Sequence, residues 1–542
     1  MREPVTRRDA LRGLAAGAVA GGAGLAACAG GDGPGAAGSD GAGASGPGGA
    51  SGGARDARDP AGPPRRGGRI RAASLAASTA DTLDPAKGAL STDYLRLYML
   101  YSGLTQYDLQ LRAQPGLAEE LATQDQREWH VRLRRGVQFH DGRPLTSADV
   151  VFSLLRHKDP ATASKMKTVA EQIETVTATG PLELRITLSG PNADLPAVLA
   201  DSHFLIVPAD TRDFSRGIGT GPFRLREFLP GVRTVVVRND NYWRDGRPYL
   251  DEIELIGIAD EMARVNALLS GDVHVINAVN PRSTRRIRES GTHTTLVTPS
   301  SLFTSLIVRQ DAPQTGNQDF TLAMKYLFDR PTILRALFRG YASIGNDHPV
   351  PPGHPYYAAD LPQRVHDPER ARWHLKRAGL LGLHLPVYAS PAAEGSVEMA
   401  AMLQLSAAQA GINIAVNRVP TDSYWSSHWM KHPLSFGNSN PRPTLDLLFS
   451  TLYKSDAPWN ESGWKNARFD ELLLAARAEG EEARRRNMYV EMQHLVHEHC
   501  GSCIPAFIHF IDGYDRRLGG FQPLPLGGFM GYQFAEHVWF NG

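Results

Sequence analysis

Leu133-Arg134-Arg135-Gly136-Val137-Gln138-Phe139-His140-Asp141-Gly142-Arg143-Pro144-Leu145-Thr146 is the stretch on which the reading of this chain turns. Just before it, Glu128-Trp129-His130-Val131-Arg132-Leu133 alternates apolar and polar residues, the pattern of a half-buried strand. Gly136 and Asp141-Gly142 sit where strands must turn, and glycine tolerates the positive φ needed there. After it, Thr146-Ser147-Ala148-Asp149 starts a helix through Val150, Val151 and Leu154, with a hydroxyl and an acid placed to satisfy free amides. Turn glycines usually serve backbone geometry, so this stretch reads as scaffold.

The same mixed grammar extends outward. Arg69 to Leu75 reads as an opening strand. Strand pairs follow at Thr175 to Leu188, turning at Gly180-Pro181, and at Phe223 to Arg238, turning at Pro230-Gly231. Glu261 to Leu269 is an amphipathic helix stopped by Gly271, and Val273 to Ile276 a short strand. Asp319 to Phe328 and Pro331 to Phe338 read as consecutive helices, and Asp367-Pro368 opens another that ends at Gly379. Leu385 to Ala389, Ser396 to Ala410 and Ile412 to Val419 give strand, helix, strand, which implies a parallel crossover. Two helices, Phe469 to Glu479 and Glu481 to Val496, precede a strand at Ile504 to Ile511.

The beginning of the chain is of another kind. Arg2, Arg7, Arg8 and Arg12 precede an apolar Gly/Ala run, Gly13 to Ala27, that stops at Leu25-Ala26-Ala27-Cys28. Positive residues, a short apolar run and small residues before a cleavage point describe an export signal. The arginine pair resembles a twin-arginine signal. The Leu-Ala-Ala-Cys ending resembles a bacterial lipoprotein signal, in which the cysteine is lipidated; a basic tail with a chance cysteine is the plainer reading. The run is too short to span a bilayer. Acyl chains on Cys28 would anchor the protein without crossing the membrane. Residues 29–68, rich in Gly, Ala, Ser and Pro, have little to bury and read as a disordered tether.

Composition narrows the function. A 42% hydrophobic content suits large cores, and a net charge of +1 gives no footprint for nucleic acid. Of the three cysteines, Cys28 belongs to the signal, leaving Cys500 and Cys503.

Further segments carry a resemblance. They are Thr82-Leu83-Asp84-Pro85, Tyr101-Ser102-Gly103-Leu104, Pro115-Gly116-Leu117-Ala118-Glu119, the opening stretch, Gly219-Thr220-Gly221-Pro222-Phe223 and Arg238-Asn239-Asp240-Asn241-Tyr242-Trp243. Together they resemble the family 5 extracellular solute-binding proteins of ABC importers, which include oligopeptide, dipeptide, nickel-chelate and opine binders. The resemblance implies an α/β, two-lobed periplasmic-binding-protein-like clamp with mixed sheets and a hinge between the lobes. It implies a first lobe at 69–300, with an inserted subdomain at about 108–215, a second lobe at 301–507, and a return to the first lobe at 508–542. Ligand would sit between the lobes and favour their closure. A membrane permease with a separate ATPase would be the partner, the receptor would be a monomer, and no cofactor or catalysis is implied.

The resemblance also directs attention to cleft-facing residues. Tyr94 matches a first-lobe region that contacts ligand in family members, and Ser202 and His203 lie near a second such region. In the second lobe the loop Phe436 to Asp446 offers Asn440 and Arg442 where peptide binders often carry an acid. An arginine fork matches a carboxylate or phosphate, so Arg442 is expected to grip an anionic group; a salt bridge to Asp446 is the alternative. Trp425 and Trp429 share a face if helical, and at least one is expected in the core. Trp459 and Trp464 lie in a glycine-containing loop, which favours exposure to the cleft. The expected ligand is thus anionic or zwitterionic, opine-like or a chelate, with a short peptide as the alternative.

His494, His497, His499, Cys500 and Cys503 crowd one helix end, a spacing that zinc sites also use. One helix cannot aim all five side chains inward, so no metal site is expected; a local disulfide and idle thiols both stay open. No His-Glu-x-x-His, Gly-x-Ser-x-Gly or Walker loop occurs, which argues against a secreted hydrolase or metal enzyme. A signalling receptor on the same clamp is a further alternative.

Overall fold

The computed structural model describes residues 62–421 and 423–541. The export signal, Cys28 and residues 29–61 of the tether lie outside the described residues. No described helix is long and apolar enough to cross a membrane.

A twelve-stranded mixed sheet runs through the body. At one end Arg69–Ser74 pairs in parallel with Glu252–Gly257 and Val275–Ile276, and antiparallel partners extend the sheet to Phe223–Leu229. At the other end His384–Ala389 lies parallel to Asn413–Arg418 and Leu434–Ser439. The expected parallel crossover is therefore present, with helix Ser396–Ala410 between its strands.

Two antiparallel strands, His293–Val308 and Ala506–Asp515, join the ends. Their ladder is regular from His293↔Asp515 to Thr298↔Phe510, then slips and resumes at Leu302↔Ile508. Pro299, in the slip, has no amide to give. The Ser300 hydroxyl instead donates to the Ile508 carbonyl (2.7 Å) and accepts from the Leu302 amide (3.1 Å).

The cores divide along the same line. Leu95, Leu100, Phe223, Ile253 and the late residues Leu518, Phe529 and Phe534 pack together. A separate four-stranded sheet, which includes Glu128–Leu133, has its own core of Trp129, Val131, Leu154, Ile186 and Phe204. Beyond the joining strands, Leu306, Met324, Val387, Leu403 and Phe436 form one core, and Phe449, Phe469, Tyr489 and Val496 another. The molecule is a two-lobed α/β clamp.

The opening stretch acts as scaffold. Thr146 and Asp149 form a capping box at helix Ser147–Leu155. The His140 amide donates to the Gly219 carbonyl (2.8 Å), so the glycine turns at 136–142 and 217–221 lock together. A Cβ at Gly219 or Gly221 would strike the backbone at Leu100. That backbone ends helix Ser91–Leu100, which carries Tyr94.

Pro331 to Phe338 is helical as expected, a turn of α-helix at Arg330–Thr332 that widens into a π-helix at Ile333–Leu337. One expectation needs correction. Phe436 begins no loop: Leu434–Ser439 is a strand paired with His293–Val308, which leaves a loop of only 440–444. The Asp367-capped helix is Pro368–Arg377, and Gly379, just past its Ala378 cap with φ at +71°, ends it as expected.

The second half also holds a buried ionic knot. Asp347 receives Arg330 through both carboxylate oxygens (2.7 Å each), pairs with Arg364 (2.9 Å) and accepts from the Ile504 amide (3.1 Å). Burial opposes its charge, but Arg330, Arg364 and Lys325 hold it below the usual carboxylate range. The histidine–cysteine cluster disperses around this knot. His497 faces the Asn346 carbonyl and Arg364, His494 pairs with Asp360, and Cys500 and Cys503 are buried free thiols. Idle thiols is the alternative that holds, and burial pushes both thiols up.

Candidate functional site

The first lobe presents an aromatic and charged wall. Tyr94 projects from helix Ser91–Leu100 and meets His203 edge-on (centroids 5.6 Å) and Tyr532 (5.3 Å). Asp201 caps the short turn Ser202–Phe204 by accepting from the His203 amide. The His203 ring spans Asp201 (Nδ1, 2.7 Å) and the Gly88 carbonyl (Nε2, 3.0 Å). Both partners are acceptors, so both ring nitrogens donate and the imidazole is charged. Burial opposes that charge, yet Asp201 lifts His203 above its ordinary value, and His203 in turn holds Asp201 down. Ser202 is buried beside this pair. Burial, with Asp201 adding to it, pushes Tyr94 up to about 12.

The second lobe answers with Arg442, on the short loop after Leu434–Ser439. Its guanidinium lies over the Trp459 ring (5.6 Å to the centroid). Burial pulls Arg442 down, and the charge of Asp201 across the cleft opposes that pull. Arg442 makes no ion pair among the described residues. The alternative partner, Asp446, pairs with Arg477 instead (2.9 Å). The fork therefore faces Tyr94 and the already neutralised Asp201–His203 pair.

The remaining sequence candidates separate. Trp425 and Trp459 are 41% and 42% exposed, and Asn440 is exposed. Trp429 is half-buried and bridges the two tryptophans, with centroids 5.8 Å from Trp425 and 6.1 Å from Trp459. Trp464 is not exposed: it is 5% accessible and packs on Phe469. The Asn460 amide donates to the Trp464 carbonyl (2.6 Å), which folds the loop back and drives the indole into the core.

One residue of the wall escapes sequence reasoning. Glu461, between Trp459 and Trp464, accepts from Trp429 Nε1 at 2.6 Å. Burial pushes it up to about 7, against the pull of that indole bond. In sequence it reads as an acid in a polar loop; an acid flanked by tryptophans was the available signal.

The lobes already touch, among other places, beside the inserted subdomain. Asp194 and Arg485 pair at 2.6 Å, and the Ala193 amide donates to the Arg477 carbonyl (2.9 Å).

Comparison with known proteins follows the same lines. The model of the family described as "Bacterial extracellular solute-binding proteins, family 5 Middle" matches residues 112–461. The glutathione-binding protein GsiB of Escherichia coli K12 is 25% identical over 484 residues, covering 83% of this chain and 91% of that protein. AgaA of A. tumefaciens R10, solved with agropinic acid, superposes with a TM-score of 0.73 at 23% identity, covering 88% of this chain and 99% of its own. DppA of Helicobacter pylori, solved with the peptide STSA, superposes with a TM-score of 0.74 at 20% identity, covering 88% and 99%.

Proposed function

This chain belongs to the bacterial extracellular solute-binding proteins of family 5, the substrate-binding subunits of ABC importers, and from that premise we propose that it captures an anionic or zwitterionic small solute between its lobes. The observation that carries the reading is Arg442: a half-buried guanidinium, stacked on Trp459 and left without an ion pair among the described residues. A partly buried cation without a partner is costly, and an incoming carboxylate or phosphate removes that cost through paired bonds. Tyr94 and Tyr532 supply the facing aromatic surface, and the Asp201–His203 pair adds no net charge to repel an anion. An opine-like conjugate or a chelate fits best, and a short peptide is the alternative. GsiB is named for glutathione, and AgaA and DppA were solved with agropinic acid and the peptide STSA.

In this reading the lobes are 69–300 with 508–542, and 301–507, with a subdomain inserted at 108–215. Solute favours the closed form by its preference for that form alone. The closed receptor, a monomer held at the membrane outer face by lipid on Cys28, hands cargo to a permease with a separate ATPase. Arg442→Ala is expected to weaken solute binding 10- to 100-fold, read by calorimetry, with the thermal midpoint of the empty protein within about 2 °C of wild type. Unchanged affinity removes Arg442 from the site.

A further inference from the structure

Glu461 is a carboxylate without a counter-charge. Its one hydrogen bond among the described residues is the indole N–H of Trp429. The titratable groups around it are Tyr424, Tyr453 and Cys500, and burial raises all three, so they stay neutral at pH 7. The fold makes room for this acid. Gly437 lies in the middle of strand Leu434–Ser439, and any Cβ there would collide with the Glu461 carboxylate.

The surroundings match a cation. Trp425 and Trp459 expose two-fifths of their surface, and Trp429, which holds the acid, joins them edge to face. Indole faces attract a positive group, and a nearby carboxylate adds charge to that attraction. Trp459 already lies under one guanidinium, that of Arg442. Trp425 and Trp429 follow strand Asn413–Arg418, and Arg442 follows strand Leu434–Ser439. The two strands flank His384–Ala389 and run parallel to it, so these loops share the carboxyl end of the strands. That edge is where open α/β sheets place ligands.

We propose that Glu461, with Trp425, Trp429 and Trp459, forms a subsite for the cationic group of the bound solute, the opposite pole to Arg442. This rests on the function proposed above and narrows it: the solute is a zwitterion, an ammonium or guanidinium at Glu461 and a carboxylate or phosphate at Arg442. Trp459 stands between the poles.

The test starts with the purified whole chain exposed to a mixture of octopine, nickel–histidine and a casein hydrolysate, with the retained species identified by native mass spectrometry. The retained species is expected to carry both a basic nitrogen and an acid. Its affinity, by calorimetry, falls at least tenfold in Glu461→Gln, and acetylating its nitrogen gives a similar loss on wild type but little further loss on Glu461→Gln. Where Glu461→Gln does not fold, the acetylated species on wild type decides. Gly437→Ala, which displaces the acid and leaves its charge, is expected to weaken binding in the same direction. A retained zwitterion bound equally by Glu461→Gln and by wild type overturns the subsite. So does a retained species with no basic nitrogen whose binding Arg442→Ala abolishes; that outcome leaves the proposed function standing. Retention of nothing from the mixture overturns both.

Discussion

Asp347 and Glu461 are both withdrawn from water in the second half of the molecule, and their surroundings could hardly differ more. Asp347 is met by Arg330, Arg364 and a backbone amide, and sits below the usual carboxylate range. Glu461 is met by one indole N–H and is pushed up to about 7. The first arrangement is electrostatically finished, so nothing from outside can improve it. The second is unfinished, and its missing charge has to arrive with something else. The arginines repeat the contrast: Arg330 and Arg364 have their carboxylate, while Arg442 has only an aromatic ring. Completed pairs mark structure, and the incomplete ones of opposite sign are those assigned here to the proposed site.

The contrast can be broken most severely at Asp347. Asp347→Ala leaves two buried arginines without their anion and is expected to cost about 3–5 kcal/mol. Urea unfolding followed by circular dichroism measures it, and a variant as stable as wild type would show that the knot is not structural.

Glu461 should respond in the opposite sense. Its folded value lies above the ordinary 4.5, so the folded protein holds a proton that the unfolded chain has released. Stability is full below about 4.5 and is lost as pH rises through 7. Glu461→Gln removes that loss and should be more stable than wild type by about 3 kcal/mol at pH 8, with the gap closing near pH 5. Parallel stability curves for the two proteins across this range would place Glu461 in water.

The smallest effect is expected at the Asp194–Arg485 contact between the lobes. Asp194→Ala breaks a partly shielded pair with Arg485 worth about 1 kcal/mol, enough to shift an open–closed balance roughly fivefold. Small-angle scattering of the empty protein should then report a larger radius of gyration. An unchanged radius would mean that this contact does not hold the lobes together.

Much of the scaffold was legible because it is local. Alternation in Glu128–Leu133, the capping box at Thr146 and the glycine stop at Gly271 are set by neighbours a few residues away. Strand His293–Val308 gave no such signal: it is interrupted by Pro299, and its partner lies about two hundred residues away. Phe436 to Ser439 read as loop because Gly437, Asn438 and Ser439 have poor strand propensity, and its pairing is imposed by the sheet on both sides. At the proposed site, Arg442 and the tryptophans stood out by chemistry. The direction of Trp464 depended on one hydrogen bond from Asn460, and the isolation of Glu461 depended on which side chains are absent around it. Neither is written in the order of residues.

The slip at Pro299 sets how the halves can move. Between matched pairs, His293–Val308 spends four residues, Thr298 to Leu302, where Ala506–Asp515 spends two, Phe510 to Ile508. One strand is therefore a taut spine and the other carries slack. Ser300 already stands in for the missing amide, so folding at this gutter sacrifices no ladder bond. The halves are expected to turn about the spine like the covers of a book, with the uninterrupted strand resisting any sliding of one past the other.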